Sequence, residues 1–420
     1  SRSLSDPVNR IFFDLRAETL TFDDVQPGDL IEVIWQLRDT VPHPAMPGHY
    51  GEIAYLQEEI PRVRTVLEYA GHPKRPLHIG IEARGLNVQQ NAGRLVVENV
   101  PAVTAINRGP GVTNRLAYVH LSTQEKWSQV DDLYTSLLGK RAKPTPEIIR
   151  LAQSTISSTM STIGKIEALY QLVAGQIRYV GLEYGIHSFQ PAYAADTLSR
   201  GYGDCKDKAV LLLSLLKAVG IDGTFALVRT RSSGPLRSRP ASLSVFDHAV
   251  IYIPSLDRFM DPTVADFDPW TLPTDDQGAT ALVMGSKELK KIPFMAVDEQ
   301  SEFWDFDFNW INKRLDGIAR LTARGQPATQ LRKSIQLPNQ QTQNVNQWLN
   351  RIAPNHAFSD YSLRGIDPVA DPVVVSGKIE PIGRVTNISS PQLILGLSPW
   401  TLVNEWAPEA VRDGPLIIPH

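Results

Sequence analysis

The first part of the chain alternates short apolar runs with proline and glycine residues. Between residue 9 and about residue 120, these runs have the two-residue period or the short length that is typical of β-strands. They cover residues 31–37, 77–81, 95–97 and 116–119. We therefore predict an antiparallel, β-rich domain at the start of the chain.

The middle of the chain changes to helical spacing. Apolar positions recur at helical intervals at 127–138, 148–151, 163–177 and 203–219, and Gly220 closes the last of these segments. Short strand patterns follow at 224–229, 249–253 and 258–260. This order predicts a core in which several helices are followed by strands.

Beyond about residue 315 the pattern returns to strands. Apolar runs at 317–322, 372–378 and 393–397 surround one helical stretch at 344–352. A chain of 420 residues is long enough for about two to three domains. We predict an α+β protein with a β-rich domain at 1–125, a core at 126–300 and a second β-rich domain at 301–420.

Composition and charge argue against several classes of protein. The chain carries 42 Lys and Arg residues against 45 Asp and Glu, so it has no excess of positive charge with which to bind nucleic acid. No run of about 18 apolar residues occurs, which predicts that the chain has no membrane span. Residues 1–10 contain no Met and lack the features of a signal peptide. We expect that the first domain begins part-way through and that a targeting segment has been removed.

Motifs for bound cofactors and metals are missing from the sequence. It has no GxxxxGK[ST] phosphate loop, no HExxH zinc helix and no GxSxG nucleophile elbow. Its single cysteine, Cys205, excludes an intrachain disulfide and a CxxC metal site. We therefore predict no cofactor and no metal. The arginine-rich loop at 231–240 is interpreted as a solvated loop, with contact to an acidic substrate as the alternative.

Cys205 stands at the predicted start of a helix, directly after a glycine-flanked segment. Unpaired N–H groups and the helix dipole at this position favour a thiolate. Taken alone, such a cysteine is more often a core thiol, and we interpret Asp204 and Asp207 as helix-start residues. The apolar residues expected to anchor the helix in the core are Ala209, Leu212, Leu213 and Leu216.

His248 and Asp261 supply a candidate base and its orienting acceptor. They lie on a predicted hairpin that turns at residues 254–257, where Ile253 is expected to pair with Arg258. In that register the carboxylate lies on the face of the imidazole, one diagonal step away, whereas a turn of three or five residues would reverse the face. Each residue alone is commoner in a structural role, but together with the cysteine they predict a catalytic triad.

The segment Tyr202-Gly-Asp-Cys-Lys-Asp-Lys-Ala209 is followed by a leucine-rich helix, by His248 and by Asp261-Pro-Thr263. This combination resembles the transglutaminase-like superfamily, whose papain-like core carries a Cys, His, Asp triad. A bacterial branch of that superfamily has a β-rich domain of unknown function before the core. Segments similar to that branch occur at 11–20, 27–33, 55–57, 177–185, 190–191 and 276–278.

The resemblance covers about residues 9–295 and implies a papain-like transglutaminase core flanked by mostly antiparallel β domains. By position it implies that Cys205 is the nucleophile, His248 the general base and acid, and Asp261 the residue that orients the imidazole. Asp247 stands where this branch often has Asn, and it could compete for the imidazole. Members of the branch are usually exported, which implies a periplasmic or extracellular location.

We expect thiol-dependent acyl transfer on a peptide or carboxamide bond, with a protein or peptide as the substrate. Hydrolysis is favoured because water needs no binding site, whereas a lysine amine must be held and deprotonated. The alternatives are amine transfer to protein glutamine and a catalytically silent binding or scaffold protein. The backbone N–H of Cys205 is one expected oxyanion donor. Gln190 is a candidate for the second, although a surface glutamine is the commoner role.

Overall fold

The computed structural model describes most of the chain up to residue 382. The described residues are 2–3, 5–6, 11–13, 16–34, 36, 45–104, 111–183, 185–236, 239–265, 268–311, 314–354, 356–366 and 372–382. Helices and antiparallel sheets occur together in this part, which confirms the α+β class. The strand predicted at 393–397 lies outside the described residues. Among the helices that the structure describes, none is long and apolar enough to cross a membrane.

Two small antiparallel sheets dominate the N-terminal region. Its elements are β1 (Arg2–Ser3), β2 (Ile11–Phe13), β3 (Arg16–Ala17), β4 (Gly51–Tyr55), β5 (Arg62–Glu68), β6 (His78–Glu82), β7 (Gln89–Asn91), β8 (Arg94–Val100), α1 (Val112–Arg115) and β9 (Tyr118–Ser122). One sheet has the strand order β4–β9–β6 and the other β5–β8–β7. Leu95 and Val97 of β8 pack with Val119 and Leu121 of β9, so the two sheets share one apolar core.

The strand predicted at 31–37 is wrong for residues 31–34 and 36, which form no strand. Ile34 is 84% exposed, and Ile31 and Val33 are nearly half exposed. Apolar alternation predicts a strand because one face of a sheet is normally buried. These side chains remain in contact with solvent, so the burial that would stabilise a strand is not obtained.

The central region contains most of the helices and the largest sheet. Its elements are α2 (Trp127–Leu138), α3 (Pro146–Thr155), α4 (Thr162–Gln176), β10 (Arg178–Tyr179), β11 (Gly181–Glu183), α5 (Ala194–Arg200), β12 (Tyr202–Gly203), α6 (Cys205–Ala218), β13 (Thr224–Arg229), β14 (His248–Ile253), β15 (Arg258–Met260), β16 (Thr280–Val283) and β17 (Leu289–Lys291). The sheet is antiparallel in the order β15–β14–β13–β16–β17. The helices and strands predicted between residues 127 and 260 are confirmed, whereas α5 and the strands β10, β11, β12, β16 and β17 were not predicted from the sequence.

Helix α6 lies at the centre of this region. It packs on β14 of the sheet and contacts α3, α4 and α5 on its other sides. Every residue from Cys205 to Leu216 is buried. A helix that is apolar around its whole circumference is stable only when it is covered on all sides, which explains why the leucine-rich segment occupies this position.

The C-terminal region is one sheet with two helices against it. Its elements are β18 (Glu302–Ile311), β19 (Arg314–Ala323), α7 (Gln326–Ser334), α8 (Gln341–Ile352), β20 (His356–Arg364) and β21 (Val373–Pro381). The antiparallel sheet has the order β18–β19–β21–β20, with α7 against β19 and β21 and α8 against β20. The strands predicted at 317–322 and 372–378 and the helix at 344–352 are confirmed, but β18, β20 and α7 were not predicted.

Candidate active site

Cys205 is the first residue of α6, where the sequence places it. The preceding residue, Asp204, caps the helix, because its Oδ1 accepts hydrogen bonds from the backbone N–H groups of Lys206 at 3.0 Å and Asp207 at 3.2 Å. Asp207 completes the capping box by accepting from the N–H of Asp204. The prediction that Asp204 and Asp207 are helix-start residues is confirmed. The cysteine side chain is thus fixed by its helix, at 7% exposure.

Two ion pairs flank the cysteine. Nζ of Lys206 donates to Oδ2 of Asp204 at 2.8 Å, and both side chains are buried. Burial alone would lower the pKa of Lys206, but the negative charges of Cys205 and Asp204 hold that pKa above its ordinary value. Arg200 pairs with Asp207 on the other side of the helix start. Lys206 therefore places a buried positive charge directly beside Cys205 in the sequence.

The hairpin that carries the other two candidates has the predicted register. Ile253 pairs with Arg258 and Ile251 pairs with Met260, so the predicted four-residue turn is confirmed. His248 begins β14, and Asp261 directly follows β15. Nε2 of His248 lies 3.2 Å from Oδ2 of Asp261, so the two strands bring imidazole and carboxylate together.

Asp261 is held in place by its other carboxylate oxygen. Oδ1 accepts from the backbone N–H of Thr263 at 2.9 Å and from its hydroxyl at 2.7 Å. Burial opposes ionisation, but the His248 ring and these hydrogen bonds hold the pKa of Asp261 below its usual value. The carboxylate therefore stays charged and keeps Oδ2 directed at the imidazole.

The imidazole of His248 faces both the carboxylate and the thiol. Burial lowers the pKa of His248, but the carboxylates of Asp261 and Asp276 and a hydrogen bond to Cys205 more than compensate, and the pKa lies well above its ordinary value. Since Nε2 is directed at Asp261, Nδ1 is the ring nitrogen left for the cysteine. The structure thus brings Cys205, His248 and Asp261 together at the junction of α6 and the sheet.

No role for Asp276 was predicted from the sequence, although this residue belongs to the segment 276–278 that resembles the bacterial branch. Oδ2 of Asp276 lies 3.7 Å from Nε2 of His248, and the residue is 1% exposed. Burial and neighbouring carboxylates raise the pKa of Asp276 to about 7, although the His248 ring opposes this. Asp276 precedes β16 in a turn, so neither periodicity nor hairpin register connects it to the histidine.

Donor atoms of His248, Asp261 and Asp276 lie within 4.8 Å of one another, a grouping of ligand types that also occurs in metal sites. The contact between Nε2 and Asp261 is already explained by a hydrogen bond from the ring. We therefore interpret the cluster as a group of side chains that share and transfer protons.

Two further residues named from the sequence are engaged elsewhere. The side-chain amide of Gln190 donates to the backbone carbonyl of Leu137 at 3.3 Å. The carboxylate of Asp247 accepts from the backbone and hydroxyl of Thr230 at 2.9 and 2.8 Å, and from the hydroxyl of Ser233. Asp247 thus binds the neighbouring loop, and it is Asp261 that contacts the imidazole.

The sequence of the central region matches a known family. Residues 149–249 match the model of the transglutaminase-like superfamily, and this match includes Cys205 and His248. The segment is therefore a transglutaminase-like core, which confirms the resemblance seen in residues 202–209. Asp261 and Asp276 lie beyond the matched segment. No curated protein sequence gave a significant match to the chain.

Two solved bacterial structures are similar to the chain. A candidate protease from Parabacteroides distasonis aligns at 13% identity over 81% of this chain and 70% of its own, with a TM-score of 0.47. A candidate cysteine protease from Cytophaga hutchinsonii aligns at 13% identity over 51% of this chain and 75% of its own, with a TM-score of 0.24.

Proposed function

We propose that the protein is a thiol-dependent acyl-transfer enzyme that hydrolyses peptide or carboxamide bonds. The observation that carries this proposal is the convergence of three side chains from separate elements. Cys205 at a helix start faces His248, and the far nitrogen of the same ring lies 3.2 Å from the buried carboxylate of Asp261. A nucleophile, a base and an orienting acceptor in this order are the parts that nucleophilic catalysis requires.

The reaction begins with transfer of the Cys205 thiol proton to Nδ1 of His248. The thiolate attacks the carbonyl carbon of the substrate, and the carbonyl π electrons move to its oxygen. As this oxyanion collapses, the C–N bond breaks and the imidazolium gives its proton to the departing nitrogen. A thioester on Cys205 and a free amine result. Throughout these steps Asp261 accepts the Nε2 hydrogen bond and stabilises the imidazolium.

The second half of the reaction releases the acyl group. A water molecule gives one proton to Nδ1 of His248 while its oxygen attacks the thioester carbonyl. The C–S bond then breaks, and the Cys205 thiolate takes the proton from Nδ1 of His248. A free carboxylic acid is left. The backbone N–H of Cys205 is the proposed oxyanion donor, because helix-start N–H groups lack acceptors within the helix. Gln190 is the proposed second donor, because its side-chain amide has one N–H besides the one that donates to Leu137.

Hydrolysis is preferred to amine transfer because three acidic groups expected to lie near Cys205 already have partners. A lysine amine needs a carboxylate to hold it close to the thioester. Asp204 is bound to Lys206, Asp207 to Arg200, and Asp247 to Thr230 and Ser233. Water needs no such anchor, so we propose that water resolves the thioester.

The proposal is tested by incubating the protein with a library of peptides and amides and measuring intact mass. An acyl adduct on Cys205 and free acid in solution are expected, and neither should form with Cys205→Ala. Absence of both products with the unmutated chain would favour a silent binding or scaffold protein. Rapid alkylation of the thiol below pH 7 would independently indicate an activated cysteine.

We also propose a periplasmic or extracellular location, which rests on the resemblance to exported members of the bacterial branch. Fractionation of the source cells tests this proposal. Recovery of the protein in the cytoplasmic fraction would contradict it.

A further inference from the structure

Two buried carboxylates face one nitrogen of the same imidazole. Oδ2 of Asp261 lies 3.2 Å and Oδ2 of Asp276 lies 3.7 Å from Nε2 of His248. The two aspartates differ in their other contacts. Thr263 donates two hydrogen bonds to Oδ1 of Asp261. Oδ2 of Asp276, in contrast, is buried with no hydrogen-bond partner among the described residues. A single N–H cannot satisfy both carboxylates fully, so the second one needs a separate explanation.

The turn that carries Asp276 is fixed from several sides. Its backbone N–H donates to the carbonyl of Pro273 and its carbonyl accepts from Ala279, both at 3.0 Å. The amide of the next residue, Gln277, donates to Leu272 at 2.9 Å and to Gln300 at 3.0 Å. This backbone holds the Asp276 carboxylate beside the imidazole and away from solvent.

The neighbouring carboxylate has a different environment. Asp275 is exposed and accepts from the backbone N–H of Ser232 at 3.0 Å and from its hydroxyl at 2.7 Å. Asp275 thus anchors a loop, whereas Asp276 is directed at the ring. The chain therefore offers a matched control, since the two residues have the same side chain and adjacent positions but different partners.

A buried carboxylate is unfavourable unless a cation or hydrogen-bond donors compensate for the lost hydration. For Asp276, burial and the carboxylates of Asp261, Asp275 and Asp247 favour the neutral form, and the His248 ring favours the ionised form. The imidazolium is therefore the group whose charge this carboxylate complements. The relation is reciprocal, since Asp276 also raises the pKa of His248.

We propose that Asp276 is a second positioning carboxylate for His248, which together with Asp261 stabilises the imidazolium that forms when Cys205 gives up its proton. In this step the S–H bond of Cys205 breaks and an Nδ1–H bond forms on the ring. The positive charge that appears on the ring then faces two carboxylates through its Nε2–H group. This inference rests on the proposed function only in that Cys205 and His248 act as a nucleophile and its base.

The test is a histidine titration that requires no substrate. Labelled histidine signals are followed by NMR in Cys205→Ala protein, which removes the thiol, with a chelator present to exclude metal ions. Loss of one signal in His248→Gln identifies the ring. Asp276→Asn is expected to lower the pKa of His248 by about one pH unit, because one of its two carboxylates is lost. Asp275→Asn should shift it by much less.

An unchanged His248 titration in Asp276→Asn, or equal shifts in the two variants, would overturn the proposal. A merely structural turn residue would alter thermal stability without moving this pKa. If Asp276→Asn fails to fold, the unmutated residue is measured instead through the carboxyl carbon of labelled aspartate. The pKa of Asp276 should be higher in His248→Gln than in the unmutated chain, because the ring that favours the ionised carboxylate is lost, and an equal pKa in the two proteins would overturn the proposal.

These measurements separate the two proposals. If no acyl adduct ever forms on Cys205, the proposed function fails while the histidine titration still decides the role of Asp276. If adducts form but the titration does not respond to Asp276→Asn, only the second carboxylate is misassigned. Once a substrate is known, the alkaline limb of the kcat/KM profile should move to lower pH in Asp276→Asn and stay in place in Asp275→Asn.

Discussion

Nε2 of His248 lies 3.2 Å from Oδ2 of Asp261, and this contact depends on the register of one hairpin. His248 begins the first strand and Asp261 follows the second, so a turn one residue shorter or longer would place them on opposite faces. The contact fixes which ring nitrogen faces the carboxylate and leaves Nδ1 for the thiol of Cys205.

Asp261→Asn should lower turnover by at least about a hundredfold and leave substrate binding nearly unchanged, because an amide neither fixes the ring tautomer nor stabilises the imidazolium. The measurement is kcat and KM for a substrate found by mass analysis. Asp257→Asn is the matched control, since Asp257 lies in the turn of the same hairpin and binds Lys290 at the surface. Equal losses in both variants would contradict the role given to Asp261.

Cys205→Ala should abolish adduct formation while the protein stays folded. The side chain is small and buried at the helix start, so its loss should cost about 1 kcal/mol and lower Tm by about 2–4 °C. Adduct formation is followed by intact mass, and folding by thermal unfolding. Turnover that survives in this variant would remove the thioester mechanism.

Water should outcompete added amines at the thioester. With a glutamine-containing peptide and a primary amine at millimolar concentration, the free acid is expected as the main product, because Asp204, Asp207 and Asp247 already have partners. Products are quantified by mass. A majority of amine adducts would identify the enzyme as a transglutaminase in activity.

The stability of the N-terminal sheets should fall in mild acid because of His120. This residue of β9 is fully buried, both ring nitrogens lack a hydrogen-bond partner among the described residues, and burial together with Arg229 lowers its pKa to about 4. The unfolded chain, with a histidine pKa of about 6.5, binds more protons below that pH. The free energy of unfolding should therefore decrease by roughly 3 kcal/mol as the pH falls from about 6.5 to about 4.

Denaturant unfolding at several pH values measures this effect. In His120→Leu the slope between pH 6.5 and 4 should become shallower, because the group that takes up the proton on unfolding is gone. His72→Leu provides the control, since it removes an exposed histidine instead of a buried one. A slope in His120→Leu equal to that of the unmutated chain would show that other groups cause the acid dependence.

Arg229→Lys should loosen the arginine-rich loop. The buried guanidinium donates to the carbonyls of Gly234 at 2.6 Å, Val245 at 2.7 Å and Ser233 at 2.8 Å. A lysine ammonium cannot reproduce this planar set of donors. Trypsin should therefore cut after Arg231 several-fold faster in the variant than in the unmutated chain, as measured by mass. An unchanged cleavage rate would mean that the loop is held mainly by the N–H groups of Val112 and Thr113 in α1, which donate to the carbonyls of Ser232 and Ser233.

Local sequence signals were sufficient to predict that a helix starts at Cys205 and that His248 and Asp261 lie beside each other. The four residues between Ile253 and Arg258 fix which strand faces meet, and the helix start at Cys205 follows from its capping residues and the glycines before them. In both cases the information lies within a short stretch of chain, so periodicity and turn length determine the geometry.

The same signals did not place Asp276 beside His248, did not indicate the partner of Gln190, and did not predict that residues 31–34 form no strand. Asp276 reaches His248 only through the folding of a distant turn, and the partner of Gln190 is a backbone carbonyl that no side-chain pattern marks. At 31–34 the apolar alternation is real, but what covers those side chains is decided by tertiary packing. All three depend on how residues far apart in the sequence come together, which a local pattern does not encode.

Cys205 opens a helix, whereas His248 and Asp261 belong to the sheet on which that helix packs. A small slide or separation of α6 from β14 would therefore change the reactivity of the thiol before any strand is lost. Because the chain has a single cysteine, a thiol reagent would label this one interface without engineered sites. The rate at which a thiol reagent modifies Cys205 in the unmutated protein would therefore report local opening between α6 and the sheet that contains β14.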